Sequence, residues 1–125
     1  MAAGRPEKNS RTSCVILNYN DSRTTVEQVR RICGYPSLDA IVVVDNASAA
    51  EDWENLQLSV GGIEKVRLIR AERNGGYGAG NNIGIRNSVR ELGARYVLIA
   101  NPDTVFSDIC VKNLRRILEN HREAA

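Results

Sequence analysis

The stretch that decides the fold is Arg95-Tyr-Val-Leu-Ile-Ala-Asn-Pro-Asp-Thr-Val-Phe106. Its apolar run, Tyr96 to Ala100, has the length and composition of a buried strand. That strand must stop at Asn101-Pro102-Asp103, because Pro102 has no N–H to give to a ladder and pushes Asn101 toward extended geometry. Asp103 is then carried just beyond the carboxyl end of the strand, the edge at which open α/β sheets bind ligands. Taken alone, the motif also reads as a strand followed by an ordinary polar turn, and its companions elsewhere in the chain decide between the two.

Three further strands are expected. Ser13 to Leu17 is apolar and ends in Asn18-Tyr19-Asn20-Asp21. Asp21 or Ser22 can cap the helix that follows, which carries Val26, Val29 and Cys33 at helical spacing, Arg30 and Arg31 in its last turn, and Gly34 and Pro36 as its stop. Ile41 to Val44 is β-branched throughout, as suits a central parallel strand covered on both faces. It ends in Asp45-Asn46-Ala47-Ser48, and Ser48 with Glu51 has capping-box spacing for a helix bearing Trp53 and Leu56, closed by Gly61-Gly62. Lys65 to Arg70 has fewer apolar residues and reads as an edge strand. The run Asn74-Gly-Gly-Tyr-Gly-Ala-Gly-Asn-Asn-Ile-Gly84 then leads into a helix ending near Leu92, with Gly93 as its stop. Ser107 can cap a last helix with Val111, Leu114 and Leu118 on one face. Strand and helix thus alternate four times, which implies a three-layer α/β/α fold with a four-stranded, mainly parallel sheet. One domain is expected over residues 13–121, with a disordered lead-in over 1–12 and a tail over 122–125.

Composition narrows the function classes. A net charge of +2 is too weak to argue for nucleic acid or an anionic membrane as partner. The longest uninterrupted apolar runs, Ala40 to Val44 and Tyr96 to Ala100, are far short of a membrane span, and residues 1–12 lack the apolar core of a secretory signal. Cys14, Cys33 and Cys110 are odd in number and widely spaced, and His121 is the lone histidine. A disulfide framework and a zinc site are therefore not expected, and buried reduced thiols in a cytosolic protein are.

Each strand is followed by a cluster that a plain connection does not need. Asn18 and Asn20 follow the first, Asp45 and Asn46 the second, the glycine run the third, and Asn101 and Asp103 the fourth. In a parallel sheet all four lie on one edge, where a ligand site is expected. Asp45 reads either as a helix cap or as a carboxylate receiving a base N–H. The four glycines between Asn74 and Gly80 either bring backbone N–H groups close to phosphate at a helix N-terminus or allow close helix–sheet packing. Asn81 and Asn82 after Gly80 exclude a Walker A loop, and no register of the glycines satisfies G-x-G-x-x-G. Asp103 is the metal candidate, since magnesium and manganese take hard oxygen ligands together with substrate phosphates. Trp53 reads as core, Tyr77 as an exposed lid residue and His121 as solvated.

Taken together, Val15-Ile-Leu-Asn-Tyr-Asn20, Val42-Val-Val-Asp-Asn-Ala-Ser48, the Asn74–Gly84 run and Asn101-Pro-Asp103 resemble the family 2 inverting glycosyltransferases of GT-A fold, most closely their rhamnosyltransferase-like branch. The resemblance implies the nucleotide-binding half of that fold, with strand order 3-2-1-4 and a crevice between strands one and four flanked by Asn18 and Asp103. It places Asn18 and Tyr19 beside the nucleotide, Asp45 at the pyrimidine base, and Asn74, Gly76 and Asn82 in a loop over base, ribose and diphosphate, with Asn20 and Asn46 also among the nucleotide-sugar-binding residues. Asn101-Pro102-Asp103 stands where the family carries Asp-x-Asp, with Asp103 holding Mg²⁺ or Mn²⁺ and the amide Asn101 in place of the first acid. The implied donor is a TDP- or UDP-linked sugar. The implied acceptor is a saccharide or a lipid-linked molecule in polysaccharide or cell-wall biosynthesis, at a cytoplasmic site that includes the inner face of the membrane. The family fold is longer than this chain, and no carboxylate in residues 1–125 matches its general base, so no catalytic residue is assigned. Strand four is left as an apolar edge that invites a homodimer. A non-catalytic nucleotide-binding module and a nucleotidyltransferase or dehydrogenase-like α/β enzyme are the other readings.

Overall fold

β-Branched runs separated by amphipathic segments fold alternately in the computed structural model, which describes residue 9 and residues 11–121. The elements are β1 (Thr12–Asn18), α1 (Ser22–Ile32), β2 (Ala40–Asp45), α2 (Ala50–Val60), β3 (Val66–Arg70), α3 (Tyr77–Arg90), β4 (Tyr96–Ala100) and α4 (Asp108–Asn120). The sheet order is β3-β2-β1-β4, and every neighbouring pair is parallel. The three-layer α/β fold, its strand order and the edge position of β3 are therefore as the sequence leads one to expect.

Alternation along the strands sorts the core into two layers. Cys14, Ile16, Ile41 and Val43 pack with Val26, Val29 and Ile32 of α1, Leu56 and Val60 of α2, and Val111 of α4. Val15, Val42 and Val44 face the other way, toward Ile83 and Leu92 at α3 and just beyond it. The chain therefore advances from β1 to β3 with its helices on one face and returns to β4 through α3 on the other. That reversal puts the switch point, and with it the ligand crevice of an open sheet, between β1 and β4.

Several local expectations are corrected. Thr12, expected in the lead-in, is the buried first residue of β1. Asn9 and Arg11 already bond to the carbonyls of Gly93 and Leu92. The rest of the expected lead-in (1–8 and 10) and the tail (122–125) lie outside the described residues. Asp21 stands at the N-cap of α1 but makes no capping bond, its Oδ1 accepting instead from the Thr24 hydroxyl. The first helical N–H, that of Ser22, donates to Asp52 Oδ1 of α2 at 2.9 Å. Ser48 and Glu51 form no capping box, because α2 starts at Ala50 and the Ser48 hydroxyl is turned inward to Asp45. Ser107 does cap α4, accepting from the Cys110 N–H at 3.1 Å. All three thiols are free, but only Cys14 is buried. Cys33 is partly exposed and Cys110 exposed.

The glycine run divides. Its helix begins at Tyr77, so Gly78, Gly80 and Gly84 are helical. A Cβ on Gly80 would collide with Leu17 Cδ1, and one on Gly84 with Val15 Cγ1, with Val44 Cγ2 at 3.2 Å. These two glycines bring α3 down onto β1 and β2. Substituting Gly84 by Ala should cost about 1–3 kcal/mol through overpacking against β-branched neighbours that cannot rotate away. Gly78, whose Cβ would meet open space, should gain up to about 1 kcal/mol from the same change. Urea denaturation of the two variants checks the opposite signs.

Candidate functional site

The apolar run of β1 ends in an amide, and the parallel register sets that amide beside the carboxylate ending β2, Asn18 opposite Asp45. Both side chains have no exposed surface. Asn18 Nδ2 donates to Asp45 Oδ1 and Asp52 Oδ2, each at 2.9 Å, and Asn18 Oδ1 accepts from the Thr25 hydroxyl at 2.7 Å. Asp45 Oδ1 also accepts from Ser48 Oγ at 2.6 Å. Its Oδ2 takes the Ser48 N–H at 3.1 Å and lies 3.5 Å from Arg70 Nε. Arg70 in turn donates to the Ser48 carbonyl at 2.7 Å and stands 5.4 Å over the Trp53 ring, which packs partly buried against the core. Asp45 is thus neither an ordinary helix cap nor a free carboxylate; its one partner from outside this knot is Arg70.

The turns leaving these strands are unusual. Asn20 (φ 50°) and Ala47 (φ 60°) both lie in the left-handed region, which for alanine costs about 1–2 kcal/mol. Asn20 is tied down twice, its N–H donating to Ser48 Oγ and its Oδ1 accepting from the Ala49 N–H, both at 2.8 Å. Asn46 reaches the start of α3. Its Nδ2 donates to Asn74 Oδ1 at 2.8 Å and the Gly76 carbonyl at 3.4 Å, and Asn74 Oδ1 also accepts the Gly76 N–H at 2.9 Å. Gly76, at φ 95°, turns the chain into the helix there. Among the described residues Asn46 Oδ1 is buried without a partner, and so are both polar atoms of Asn81, the neighbour of the exposed Asn82.

At the switch point lies an open cleft of about 530 Å³. Tyr19, Asn101, Pro102 and Asp103 line it with Leu17, Tyr77, Asp21 and Thr24. Asn18 does not face this crevice, contrary to expectation, because its amide is spent below it on Asp45, Asp52 and Thr25. Tyr19 and Asp21 stand on that side instead. Asp21 was legible only as a helix-start residue and Thr24 carried no signal of its own, and nothing in their spacing marks them as cleft lining. Tyr77 is 59% exposed and its hydroxyl meets Asn101 Oδ1 at 3.1 Å, so the residue read as a lid closes on the fourth loop. His121 is exposed, as read. The Asn101–Thr104 turn is held from behind by Gln28 of α1, another residue that sequence spacing did not single out.

Asp103 is exposed, and among the described residues its carboxylate enters no hydrogen bond or ion pair. No group of three or more His, Cys, Asp or Glu among the described residues could cage a metal by itself. One free carboxylate facing an open cleft fits a hard cation that brings its remaining oxygen ligands with it, as magnesium or manganese does on a diphosphate.

Among the described residues no helix is long and apolar enough to cross a membrane. Residues 13–125 match the family described as glycosyl transferase family 2. A low-salt glycan biosynthesis hexosyltransferase, Agl10 of Haloferax volcanii, is 33% identical over 107 residues, covering 84% of this chain and 32% of the relative. Among solved structures, S. aureus TarS 1-349 superposes with a TM-score of 0.67 at 19% identity, over 90% of this chain and 33% of that one. A mannosyltransferase from Pyrobaculum calidifontis, solved with GDP-Man and Mn²⁺, superposes with a TM-score of 0.63 at 19% identity, over 86% and 32%. At that identity the two structures show a shared fold, and the chain spans about a third of the length of the relatives it matches.

Burial pushes the Asp52 carboxyl up, but the hydrogen bonds from Asn18, Ser22 and Ser48 outweigh it and hold the group below its ordinary value. A carboxyl depressed in the folded state contributes stability above its unfolded pKa and loses it as pH falls through the folded one. Asp52→Ala should therefore lower stability at neutral pH by about 0.5–2 kcal/mol, the range for a lost helix cap. The gap to the unsubstituted protein should close below the ordinary carboxylate range, and thermal denaturation between neutral and strongly acidic pH measures both.

Proposed function

This chain belongs to glycosyl transferase family 2, and we propose that its carboxyl sheet edge binds the nucleotide-diphosphate part of a sugar donor for inverting transfer. The observation that carries this reading is the switch-point cleft, where Tyr19 just after β1 and Asn101 and Asp103 just after β4 meet around one free carboxylate. The nucleoside is assigned to the wall built by Asp45, Asn46, Asn74 and Gly76, with Asn20 holding the loop that supports it. A base N–H reaches Asp45 Oδ2 by taking the place of Arg70, which is 38% exposed and must give up its contacts with Asp45 and the Ser48 carbonyl to move outward. The unpartnered Asn46 Oδ1 offers a second acceptor on the same wall. Asn82, exposed in the second turn of α3, and Asn101 are assigned to the ribose and diphosphate.

Asp103 would hold Mg²⁺ or Mn²⁺, with the Asn101 amide oxygen, which accepts from the Tyr77 hydroxyl, beside it as a second oxygen ligand. When bound, the ion supplies the positive charge that a departing diphosphate requires. In the full reaction an acceptor hydroxyl attacks the anomeric carbon from the side opposite the diphosphate, so the C–O bond to phosphate breaks as the new glycosidic bond forms. A carboxylate base takes the hydroxyl proton. That base is assigned to the part of the relatives' length that this chain does not span. The donor class is a TDP- or UDP-linked hexose or deoxyhexose, rhamnose included, and the acceptor a saccharide or lipid-linked glycan in polysaccharide or cell-wall synthesis on the cytoplasmic side. The hexosyltransferase relative, and the Mn²⁺ held by the mannosyltransferase of like fold, support the sugar-transfer and metal parts of this reading.

Among the described residues β4 pairs with β1 alone, and Ile99 on it is 43% exposed. Beside it, Val97 and Leu98 with Leu114, Ile117 and Leu118 of α4 line an apolar groove of about 190 Å³. We assign this edge as the contact of a homodimer of the 125-residue chain.

Calorimetry with UDP, TDP and GDP, with and without Mg²⁺ or Mn²⁺, should show metal-assisted binding. Asp103→Ala should weaken it by about tenfold or more, upwards of about 1.4 kcal/mol. Asp45→Ala should weaken binding with and without metal. Preference for NAD overturns the reading. The 125-residue chain alone should transfer little or no sugar, and light scattering should show a dimer that grows with concentration. A monomer at high concentration removes the assembly.

A further inference from the structure

Gln28 carries an amide that packing does not call for. It lies in α1 with no exposed surface, among Val26, Val29 and Ile32, which fill the core as apolar side chains should. A buried amide is tolerated there only if its donors and acceptor are matched. Arg31 donates from Nη1 to Gln28 Oε1 at 2.6 Å, which fixes the amide oxygen on that side and turns the NH₂ the other way. The NH₂ donates to the Thr104 carbonyl at 2.6 Å and to the Asn101 carbonyl at 3.3 Å. Those two carbonyls flank Pro102 and Asp103, and the turn closes on itself where the Thr104 N–H meets the Asn101 carbonyl at 3.0 Å. Among the described residues no other side chain bonds to the backbone of 101–104. The chain behind the turn has separate ties, Tyr35 to the Phe106 carbonyl at 2.7 Å and Asp108 Oδ1 to the Ser37 N–H at 2.8 Å.

We infer that Gln28 is a positioning residue, whose amide clamps the carbonyls on either side of Asp103 and sets where that carboxylate stands in the cleft. The inference rests on the reading of Asp103 as the metal-holding group. A lone carboxylate on an exposed turn loses conformational freedom when it takes up a cation, and a turn fixed beforehand has less to lose. The clamp acts through backbone only, so it leaves the nucleoside wall of Asp45, Asn46 and Asn74 untouched. Arg31 acts one step further out, by holding the amide the right way round.

The test uses the 125-residue chain and three variants. Gln28→Met keeps the volume and removes both donors. Arg31→Ala, at an exposed position, removes only the orienting partner and keeps the test open if the first variant fails to fold. Tyr35→Phe cuts the tie behind the turn. In the ligand-free protein, ¹⁵N relaxation should show the amides of Asp103 and Thr104 becoming mobile in Gln28→Met, and less so in Arg31→Ala, with β1 and β2 unchanged. Mn²⁺-dependent affinity for whichever of UDP, TDP and GDP binds best should fall about tenfold in Gln28→Met, with affinity for the same nucleotide in EDTA unchanged. Tyr35→Phe should lower thermal stability and leave the Mn²⁺-dependent affinity as it was. Unaltered relaxation at Asp103 and Thr104 overturns the clamp whatever the wild type binds. An equal loss in Tyr35→Phe, or an equal loss in EDTA, reduces Gln28 to a structural residue and overturns it too. A wild type with a rigid turn and no Mn²⁺-dependent binding removes the metal reading of Asp103 instead, and the relaxation data then judge the clamp alone.

Discussion

An amide buried at the end of a central strand must find partners for its oxygen and its nitrogen, or the fold loses about 1–3 kcal/mol for each polar atom left bare. Asn18 finds them in four places at once: Asp45 at the end of β2, Thr25 inside α1, and Ser48 and Asp52 around the start of α2. Both βα turns on that side are therefore closed around one side chain. The register of β1 against β2, the entry angle of α1 and the inward aim of Asp45 all follow from satisfying it. Asp52 serves the same knot twice, as acceptor for Asn18 and as the group that meets the first N–H of α1. A single carboxylate in the first turn of α2 thereby faces the positive ends of two helices, where negative charge is favoured.

Much of this architecture can be read from residue order. Four β-branched or apolar runs broken by Asn, Asp, Pro and Gly specify strands and their ends through local rules, and the β-branched run at Ile41–Val44 marks a strand covered on both faces. Helix caps were less legible. Ser48 and Asp21 have the right chemistry for caps, yet the Ser48 hydroxyl turns to Asp45 and takes the Asn20 N–H, while Asp21 accepts from Thr24 three residues on and the Ser22 N–H goes to Asp52 of α2. Spacing along a chain cannot show a partner, such as Asp52, that arrives from another element. The same limit applies to the site. Asp103 and Tyr19 stand out because a strand end dictates their position. Gln28 and Asp21 do not, since their importance comes from what α1 is packed against. Asn18 was legible as a loop residue but not as a buried one, because burial of a polar group depends on partners that are distant in sequence.

The two walls of the cleft differ in how they are held. The β1–β2 side is a closed network of buried polar groups, with little freedom once formed. The β4 side is a short turn on an edge strand, its backbone gripped by Gln28 and its front touched by Tyr77. The free carboxylate belongs to the second wall. In the proposed function the base falls to the first side and the charged diphosphate to the second, each held by its own set of hydrogen bonds.

Gly80 and Gly84 give that arrangement its dimensions. Because neither carries a side chain, α3 rests directly on Leu17, Val15 and Val44. The same helix begins at Tyr77, whose hydroxyl spans to Asn101, and is preceded by Gly76, which Asn46 grips. A methyl group at either glycine would act as a shim under one end of a lever. The lift would be small at the core and larger at the rim, and the aperture between Tyr77 and the β4 turn would widen without any change in the residues that line it.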